Sequence, residues 1–238
     1  ISTGVDSIAI CFLFSFANPI NELRAKTLAQ EEFQKARVNG FVSISSEIVA
    51  EFREFERAST VAVAAYLAPV LHDYVSSLEK KLSATLNPET KLYVMQSGGG
   101  LVSPITAIRN AHTTTESGPA AGVIAAAHLG HLLGETQVIS FDMGGTTAKA
   151  SLVNDSKPQF AFEFEVGTEQ HGAFVTRNKG YPVRTTTIDL IECSAGGGSI
   201  SWVDPAGVLK VGPRSAGADP GPSSYGRGGT HATVTDAN

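Results

Sequence analysis

The first part of the chain alternates apolar and charged segments in the order expected of an α/β protein. Residues 7–16 are almost continuously apolar, which is typical of a strand buried on both faces of a parallel sheet. Asn18 and Pro19 then supply an N-cap and a first-turn proline for a charged helix that we predict to run to residue 37. A second strand at residues 40–44 completes a strand–helix–strand unit, which implies a right-handed parallel crossover.

A long helix is predicted at residues 59–86, where apolar side chains recur on one side and Pro69 is expected to introduce a kink. We interpret the charge-rich run before it, residues 51–58, as a solvated face or a turn. A strand at residues 91–96 follows the helix and leads into the glycine triplet 98–100. That triplet is either a ligand-placing loop or a flexible connection, because α/β folds use both at such a position.

Residues 117–127 predict a capped helix that carries almost no bulky side chains. Small side chains allow another backbone to approach closely, so we expect this helix to pack tightly against its surroundings. Two roles stay open at this point: a helix that crosses between two domains, or a helix N-terminus that faces an anion.

The pattern at residues 137–153 is an apolar strand, a turn with two adjacent glycines, and a second strand. Gly144 and Gly145 are expected to adopt positive-φ conformations and to direct backbone N–H groups into one concavity that suits phosphate oxygens. Thr146 and Thr147 add hydroxyl donors, and Asp142 offers a carboxylate for Mg²⁺. The alternative is a plain hairpin turn with a capping aspartate, since neither a Walker A nor a Rossmann motif is present.

The last third of the chain predicts short antiparallel strands. Residues 160–166 alternate as a half-buried strand, and a strand at 183–191 leads into the glycine-rich stretch 196–199. Strands at 200–203 and 208–211 are expected to pair around a turn. Residues 212–229 are dense in Gly, Pro, Ser and Ala, and composition predicts a flexible linker, unless a loop of this length is functional or disordered.

Composition narrows the class of protein. At 238 residues, with 42% hydrophobic and 17% charged residues, the chain suits one large or two small globular domains. A net charge of -5 without a basic cluster argues against nucleic acid and anionic membranes as partners. Cys11 and Cys193 form neither a disulfide framework nor a metal site, and the apolar run 8–14 is too short to span a bilayer. Because the sequence begins without an initiator Met, we interpret it as a piece of a longer protein.

Nine short motifs carry a resemblance to a known family. They stand at residues 18–22, 57–60, 95–100, 117–122, 141–147, 195–200, 211–222, 225–229 and 234–238. In this order they resemble the hydantoinase/oxoprolinase family, A-type subunit. The hairpin at 137–153 resembles the second phosphate loop of the actin, heat-shock protein and sugar-kinase ATPase superfamily.

This resemblance implies an α/β fold with mixed sheets and an actin-like, ribonuclease H-like architecture. It divides the chain into residues 1–116, ending a first lobe, and residues 117–238, a second lobe with a crossing helix, the hairpin and the glycine-rich loops. It implies a cytoplasmic enzyme that uses ATP and Mg to open a small cyclic amide such as a hydantoin or 5-oxoproline, together with a B-type subunit or domain. The alternatives are a subunit of an ATP-dependent ketone carboxylase and a nucleotide-binding or scaffolding module without turnover.

The same resemblance assigns roles to individual residues. Asp142 is expected to hold the metal and to act in catalysis, and Asp236 is a second candidate carboxylate whose alternative is an Asx-turn or cap. The expected nucleotide-binding residues are Gly144, Gly145, Thr146, Thr147, Gly196, Gly197, Gly198 and Ser199. Two departures stand out: Lys149 occupies a position where the family often has Asp, and the chain has one Asp-x-Gly-Gly-Thr motif where family members usually have a further, N-terminal one.

Overall fold

The computed structural model describes residues 4–87, 89–167 and 180–238, and these residues form two compact units. Unit 1 comprises the described residues among 1–121, 160–166 and 181–188. Unit 2 comprises those among 122–159, 167–180 and 189–238. The chain is therefore mixed α/β with several small sheets, as predicted. The division into two lobes at residue 117 stays a prediction.

Unit 1 begins with the predicted strand–helix–strand segment. Strand β1 (Ser7–Ile10), helix α1 (Ile20–Ala36) and strand β2 (Phe41–Ile44) follow in order, and the two strands pair in parallel with Ser7 opposite Phe41. This confirms the parallel crossover. The prediction that the strand extends to residue 16 is wrong, since β1 ends at Ile10 and Phe14 takes a left-handed conformation with φ 56°.

Helices and two further strand pairs complete unit 1. Helix α2 (Ser45–Ile48) precedes the long helix α3 (Glu54–Thr85), and strands β3 (Val94–Met95) and β4 (Leu101–Val102) form a short antiparallel hairpin. Helix α4 (Pro104–Arg109) and a 3-10 turn (Ala111–Thr114) follow. Strands β8 (Phe160–Val166) and β9 (Tyr181–Ile188) pair antiparallel, as predicted for the first of them, with an irregularity between Ala161 and Glu163 that interrupts the alternation.

Helix α3 is the centre of unit 1 and packs against β1, β2 and β9. Its buried side chains recur at helical spacing: Arg57, Thr60, Val61, Ala64, Ala65, Ala68 and Val75. The interpretation of residues 51–58 as a turn or solvated face is wrong for the part from Glu54 onward, because these residues form the first turn of α3 and Arg57 is fully buried. By length and apolar composition α3 would suffice to cross a membrane, although core helices of soluble proteins pass the same test.

Helix α5 (Ser117–Leu133) contributes residues to both units, because the boundary between them falls after Ala121. Unit 2 continues with strands β5 (Gln137–Met143), β6 (Ala148–Asn154) and β7 (Lys157–Pro158), and later β10 (Ile191–Cys193). These strands form an antiparallel sheet in the order β10-β6-β5, with β7 also on β6. The predicted hairpin at 137–153 is thus present, and Met143 faces Ala148 across its turn.

A second hairpin, β11 (Ser199–Val203) and β12 (Leu209–Ser215), is also present as predicted. The interpretation of residues 212–229 as a flexible linker is wrong. The first of these residues extend β12, Gly221 and Pro222 are buried, and a 3-10 turn forms at Ser223–Tyr225. Backbone and hydroxyl hydrogen bonds from this tract to the C-terminal turn at Thr235–Ala237 and its flanking residues replace the side-chain packing that its composition lacks.

Candidate functional site

At the tip of the turn between β5 and β6, several backbone N–H groups have no acceptor among the described residues. The Gly144 N–H donates to the Thr147 carbonyl at 2.9 Å, and that bond continues the strand ladder by one residue. Among the described residues no acceptor receives the N–H groups of Gly145, Thr146 and Thr147, and the two threonine hydroxyls likewise make no hydrogen bond there. Three consecutive backbone donors and two hydroxyls are therefore left for water or a ligand, which is the donor set of a phosphate site.

The loop between β10 and β11 lies against this turn and takes up its carbonyls. Gly197 N–H donates to the Gly144 carbonyl at 2.9 Å, and Gly198 N–H donates to the Gly145 carbonyl at 2.7 Å. With its carbonyls fixed by the glycine loop, the turn has its backbone orientation set while its N–H groups stay available. The structure thus brings the two predicted glycine clusters together within unit 2.

The glycine loop is in turn anchored by its own neighbours. The Ser199 hydroxyl accepts from Gly196 N–H at 2.9 Å, and Thr235 N–H donates to the Gly197 carbonyl at 2.8 Å. Ala216 N–H donates to the Gly198 carbonyl at 2.8 Å. Sequence reasoning did not single out Thr235 or Ala216 for this role, although both lie in motifs that carry the family resemblance. Ser199 is buried and its hydroxyl oxygen supports the loop, and its role in nucleotide binding stays a prediction.

Glycine is required at the loop rather than at the turn. A Cβ on Gly196 would lie 2.6 Å from backbone atoms of Thr146, and one on Gly197 would lie 2.6 Å from the Thr235 hydroxyl oxygen. A Cβ on Gly145 would meet nothing within 4 Å. The expectation that Gly144 and Gly145 need positive φ is wrong, because neither adopts it. Their lack of side chains instead leaves open space above the turn, through which a ligand can approach the backbone.

Asp142 stands at the exposed end of β5 in a row of alternating charges. It is opposite Lys149 on β6, and Lys149 is opposite Glu192 on β10. The Lys149 ammonium lies 4.0 Å from the Glu192 carboxylate. Lysine at this position therefore sits between two carboxylates, which stabilises the pairing of the three strands by cross-strand attraction.

The Asp142 carboxylate is the candidate ligand for a magnesium ion near the turn. Among the described residues no group of three or more His, Cys, Asp or Glu side chains is arranged to hold a metal. Asp142 by itself fits Mg²⁺ in a nucleotide site, because there the ion usually takes one or two protein carboxylates, water and the phosphates themselves. The roles of Asp142 in metal binding and catalysis stay predictions.

Asp236 holds the C-terminal loops together. Its carboxylate accepts hydrogen bonds from the N–H groups of Ser223, Ser224 and Thr233, at 3.3, 2.7 and 2.8 Å, and from the Thr233 hydroxyl at 2.9 Å. These bonds, with the Ser224 backbone bond first, hold the pKa of Asp236 well below its usual range and outweigh the opposing effect of burial. The geometry is that of the cap kept as an alternative above, and the catalytic role of Asp236 stays a prediction.

Unit 1 contains a buried polar network that sequence reasoning missed. Glu22 and Arg57 are both fully buried. The Glu22 carboxylate accepts from Phe12 N–H at 2.8 Å and from the Ser45 hydroxyl at 2.7 Å, while Arg57 donates to the Phe12 carbonyl at 2.7 Å. Burial raises the pKa of Glu22, but the hydrogen bonds from Ser45, Phe12 and Ser46 outweigh it and lower the pKa. Arg57 lies four residues before Val61 on the buried side of α3, and that spacing was the available signal.

The Arg57 guanidinium binds the turn after β1 at a side chain, that of Ser15, as well as at the backbone carbonyl of Phe12. It donates to the Ser15 hydroxyl at 2.9 Å, and Ser15 lies 3.1 Å from the Ser45 hydroxyl. The two buried charges therefore hold the turn after β1 in the conformation that gives Phe14 its positive φ. The glycine triplet 98–100 also lies in unit 1, at the hairpin between β3 and β4, where Ser97 is fully buried.

A profile of the Hydantoinase/oxoprolinase family matches residues 57–238. The chain belongs to this family. It is 46% identical over 97% of its length to the uncharacterized protein MJ0964 of Methanocaldococcus jannaschii, 36% identical over 98% to the caprolactamase subunit alpha of Pseudomonas jessenii, and 34% identical over 99% to the acetophenone carboxylase gamma subunit of Aromatoleum aromaticum. It spans 33%, 31% and 30% of these three relatives, about a third of each.

Two solved structures share the fold. The crystal structure of the ATP-dependent caprolactamase from Pseudomonas jessenii matches the whole chain with a TM-score of 0.71 at 33% identity, and the chain covers 32% of it. The nucleotide-free structure of acetone carboxylase, from work on ATP-dependent acetone carboxylation, matches 99% of the chain with a TM-score of 0.74 at 24% identity, and the chain covers 31% of it. Both named enzymes are ATP-dependent.

Proposed function

We propose that this chain is the nucleotide-binding part of an ATP-dependent enzyme that opens a cyclic amide. The observation that carries the proposal is the set of three consecutive N–H groups at Gly145, Thr146 and Thr147 without a protein acceptor among the described residues. The family membership and the 36% identity to a caprolactamase subunit support ATP as the source of the phosphate and a cyclic amide as the substrate.

The chemistry asks this chain mainly for positioning. An amide is a poor electrophile, and ATP would supply a phosphoryl group that turns the amide oxygen into a leaving group. In this proposal the N–H groups of the turn bind phosphate oxygens and hold the triphosphate in one place. The loop at Gly196–Ser199 fixes the turn from behind through the Gly144 and Gly145 carbonyls. Asp142 would hold Mg²⁺ beside the phosphates.

The proposal includes the architecture and the partners. We place the turn in the second lobe of an actin-like ATPase, residues 117–238, with residues 1–116 ending the first lobe. Two of the relatives are subunits by name, caprolactamase alpha and acetophenone carboxylase gamma, and on this ground we propose a partner subunit of the B-type. We further propose a cytoplasmic location and a small cyclic-amide substrate.

A ketone carboxylase is the second candidate function. The 34% identity to the acetophenone carboxylase gamma subunit favours it, and the two candidates share ATP use but differ in their co-substrate. A bicarbonate requirement with acetone or acetophenone would identify the carboxylase, whereas phosphate release that depends on a hydantoin, 5-oxoproline or caprolactam without bicarbonate would identify the amide hydrolase. If the protein binds ATP but releases no phosphate under any of these conditions, it is a nucleotide-binding module without turnover.

Gly145→Ala in the complete enzyme tests the turn itself. The new methyl group would enter open space, so the fold is expected to survive, but it would stand where phosphate oxygens approach the N–H groups. We expect the affinity for Mg-ATP to fall by about tenfold or more, since charge-assisted hydrogen bonds contribute ~1.5–3 kcal/mol each. The measurement is calorimetric titration with Mg-ATP.

Gly122→Ala is the matched control. It also adds one methyl group in open space, but on helix α5. Its ATP affinity should equal that of the parent protein. An unchanged affinity in Gly145→Ala would overturn the phosphate-binding role of the turn.

A further inference from the structure

The sheet of unit 2 has one face that is apolar and exposed. In the antiparallel register Ile139 stands opposite Leu152, and Phe141 opposite Ala150, which in turn stands opposite Ile191. We call this surface the outer face, formed by Ile139, Phe141, Met143, Leu152 and Ile191. Its side chains are 70%, 66%, 42%, 43% and 67% exposed, respectively. The remaining register positions on this face are Ala148, Ala150 and Cys193, followed at one end by Gln137, Asn154 and Lys157. Lys157 is the one charged residue among these register positions.

The opposite face of the same sheet is covered although it is more polar. Ser151 and Val153 on β6 are 2% and 1% exposed, and the Ser151 hydroxyl donates to the Asp189 carbonyl at 2.7 Å. Helix α5 approaches this face at Gly130, where an added Cβ would come within 2.6 Å of a methyl carbon of Val138. The more apolar face is thus the one left in contact with solvent. Such an arrangement reverses the usual pattern of a one-sided sheet.

Strand β5 adds a second sign that the sheet is incomplete. It lies at one end of the strand order β10-β6-β5, so one side of its seven residues has no partner strand among the described residues. Long apolar edge strands are normally charged, shortened or covered, because they otherwise promote aggregation. Here β5 carries Val138, Ile139, Phe141 and Met143, and its one charged residue is Asp142.

We propose that the outer face is covered by another part of the same polypeptide, outside residues 1–238. The relatives are about three times as long as this chain, so most of their polypeptide has no counterpart here. A surface that is apolar except for Gln137, Asn154 and Lys157 at one end, and that includes an edge strand without a partner among the described residues, resembles the middle layer of a domain. It resembles less the surface of a subunit that also exists free in solution. The outer face is therefore buried inside the full-length protein, and the sheet that contains β5 and β6 is a central layer of its fold.

Hydroxyl-radical footprinting of the full-length polypeptide, expressed without a partner subunit, tests this occupant without any substitution. Phe141 and Met143 are both reactive side chains on the outer face, and Trp202 in the β11–β12 hairpin is a reactive reference with 43% exposure against 42% for Met143. Each oxidation rate is divided by the rate of the same residue in the urea-unfolded protein. We expect Phe141 and Met143 to be protected several-fold relative to Trp202.

The other outcomes overturn the proposal and are distinguishable. If Phe141 and Met143 are oxidised freely in the polypeptide alone and become protected only when the partner subunit is added, the occupant is that partner. If they are oxidised freely in both samples, the face is a solvent surface. Thermal unfolding monitored beforehand shows that the sample is folded, so free oxidation is not the result of misfolding.

Discussion

At the scale of single residues, the glycines of the candidate site differ in whether an added Cβ would meet another part of the chain. Gly145 and Gly196 lie at two adjoining turns, yet a Cβ on the first meets open space and a Cβ on the second meets the backbone of Thr146 at 2.6 Å. Backbone atoms at that distance must move, because a well-packed interior does not absorb an extra carbon. The same substitution is therefore expected to affect ligand binding at one glycine and folding at the other.

Gly196→Ala is expected to destabilise the full-length protein by about 1–3 kcal/mol, the range for an overpacked site. It should also displace the turn at Gly145–Thr147 and weaken ATP binding as a consequence. Urea unfolding of Gly196→Ala beside Gly145→Ala measures the contrast. Equal stability of the two variants would show that the close approach of the loop to the turn does not exist in solution.

His112 makes stability depend on pH. It is 3% exposed, its Nδ1 atom has no hydrogen-bond partner among the described residues, and burial lowers its pKa to about 4. The folded protein keeps the ring neutral, whereas in the unfolded chain it takes up a proton near pH 6.5. Stability is therefore unaffected by this group above pH 6.5 and decreases as the pH falls from 6.5 towards 4, by about 3 kcal/mol in total.

The comparison of urea unfolding at pH 7 and pH 5 measures this effect. In His112→Leu the loss between these two pH values should shrink, while His128→Leu, at an exposed position, should retain it. An unchanged pH dependence in His112→Leu would mean that other groups account for the acid sensitivity.

Asp236→Asn separates the two roles considered for this carboxylate. An amide oxygen cannot replace both carboxylate oxygens, so the bonds to Ser223, Ser224 and Thr233 should weaken and the melting temperature should fall. We expect kcat per folded molecule to change little at a temperature where the variant is folded. A large loss of kcat with an unchanged melting temperature would assign Asp236 to catalysis instead.

At the scale of elements, the start of helix α3 is decided by a buried charge. Arg57 reaches from the first turns of α3 to the turn after β1, where it binds the Phe12 carbonyl and the Ser15 hydroxyl. Glu22 of α1 binds the same turn and also Ser45, the first residue after β2. One network thus ties two helices to the carboxyl ends of two parallel strands, which explains why a charged segment is part of the core.

Arg57→Leu should destabilise the protein by about 3–5 kcal/mol, because it removes two hydrogen bonds from a charged donor and leaves the Phe12 carbonyl and the Ser15 hydroxyl with fewer partners. Arg53→Leu is the control on the same segment: its side chain is 58% exposed and forms a surface ion pair with Glu56 at 3.5 Å, which is expected to contribute ~1 kcal/mol or less. Chemical denaturation of both variants gives the two values. A similarly small loss of stability in both variants would show that Arg57 does not stabilise the core.

At the scale of the whole molecule, the sequence offers one turn of the kind that we propose to bind phosphate. Two such turns, one from each lobe, would be needed to enclose a triphosphate in the actin-like arrangement that we propose. Residues 1–238 contain one Asp-x-Gly-Gly-Thr motif, at Asp142. Half of a binding site lacks groups fixed before the ligand arrives, and affinity depends on that preorganisation.

The polypeptide of residues 1–238 is therefore expected to bind Mg-ATP weakly or not at all, and to hydrolyse neither ATP nor a hydantoin. Calorimetric titration of this polypeptide with Mg-ATP, beside the full-length protein, is the measurement. Affinity in the micromolar range for the shorter polypeptide would show that the site is complete within these residues and that the two-turn arrangement is wrong.

The local sequence was sufficient to predict those elements whose stability depends on residues close together in the chain. Periodicity and capping residues predicted α1, the body of α3 and both hairpins of unit 2, since these elements depend on contacts a few residues apart. The family resemblance, which the profile match confirms, also followed from short motifs. The same short motifs supplied the candidate turn and loop, which the structure brings together, and their role in nucleotide binding stays a prediction.

Tertiary structure alone decided which polar residues are inside and why each glycine is needed. Arg57 and Glu22 are charged in the sequence, and only the distant turn at residues 12–15 turns them into core residues. The tract 212–229 lacks bulky side chains, and its order comes from hydrogen bonds to Asp236, which lies beyond its end. Gly196 needs to be glycine because Thr146, fifty residues earlier, lies against it. Contacts between residues so far apart leave no periodic signal, since each depends on where the fold brings the chain back to itself.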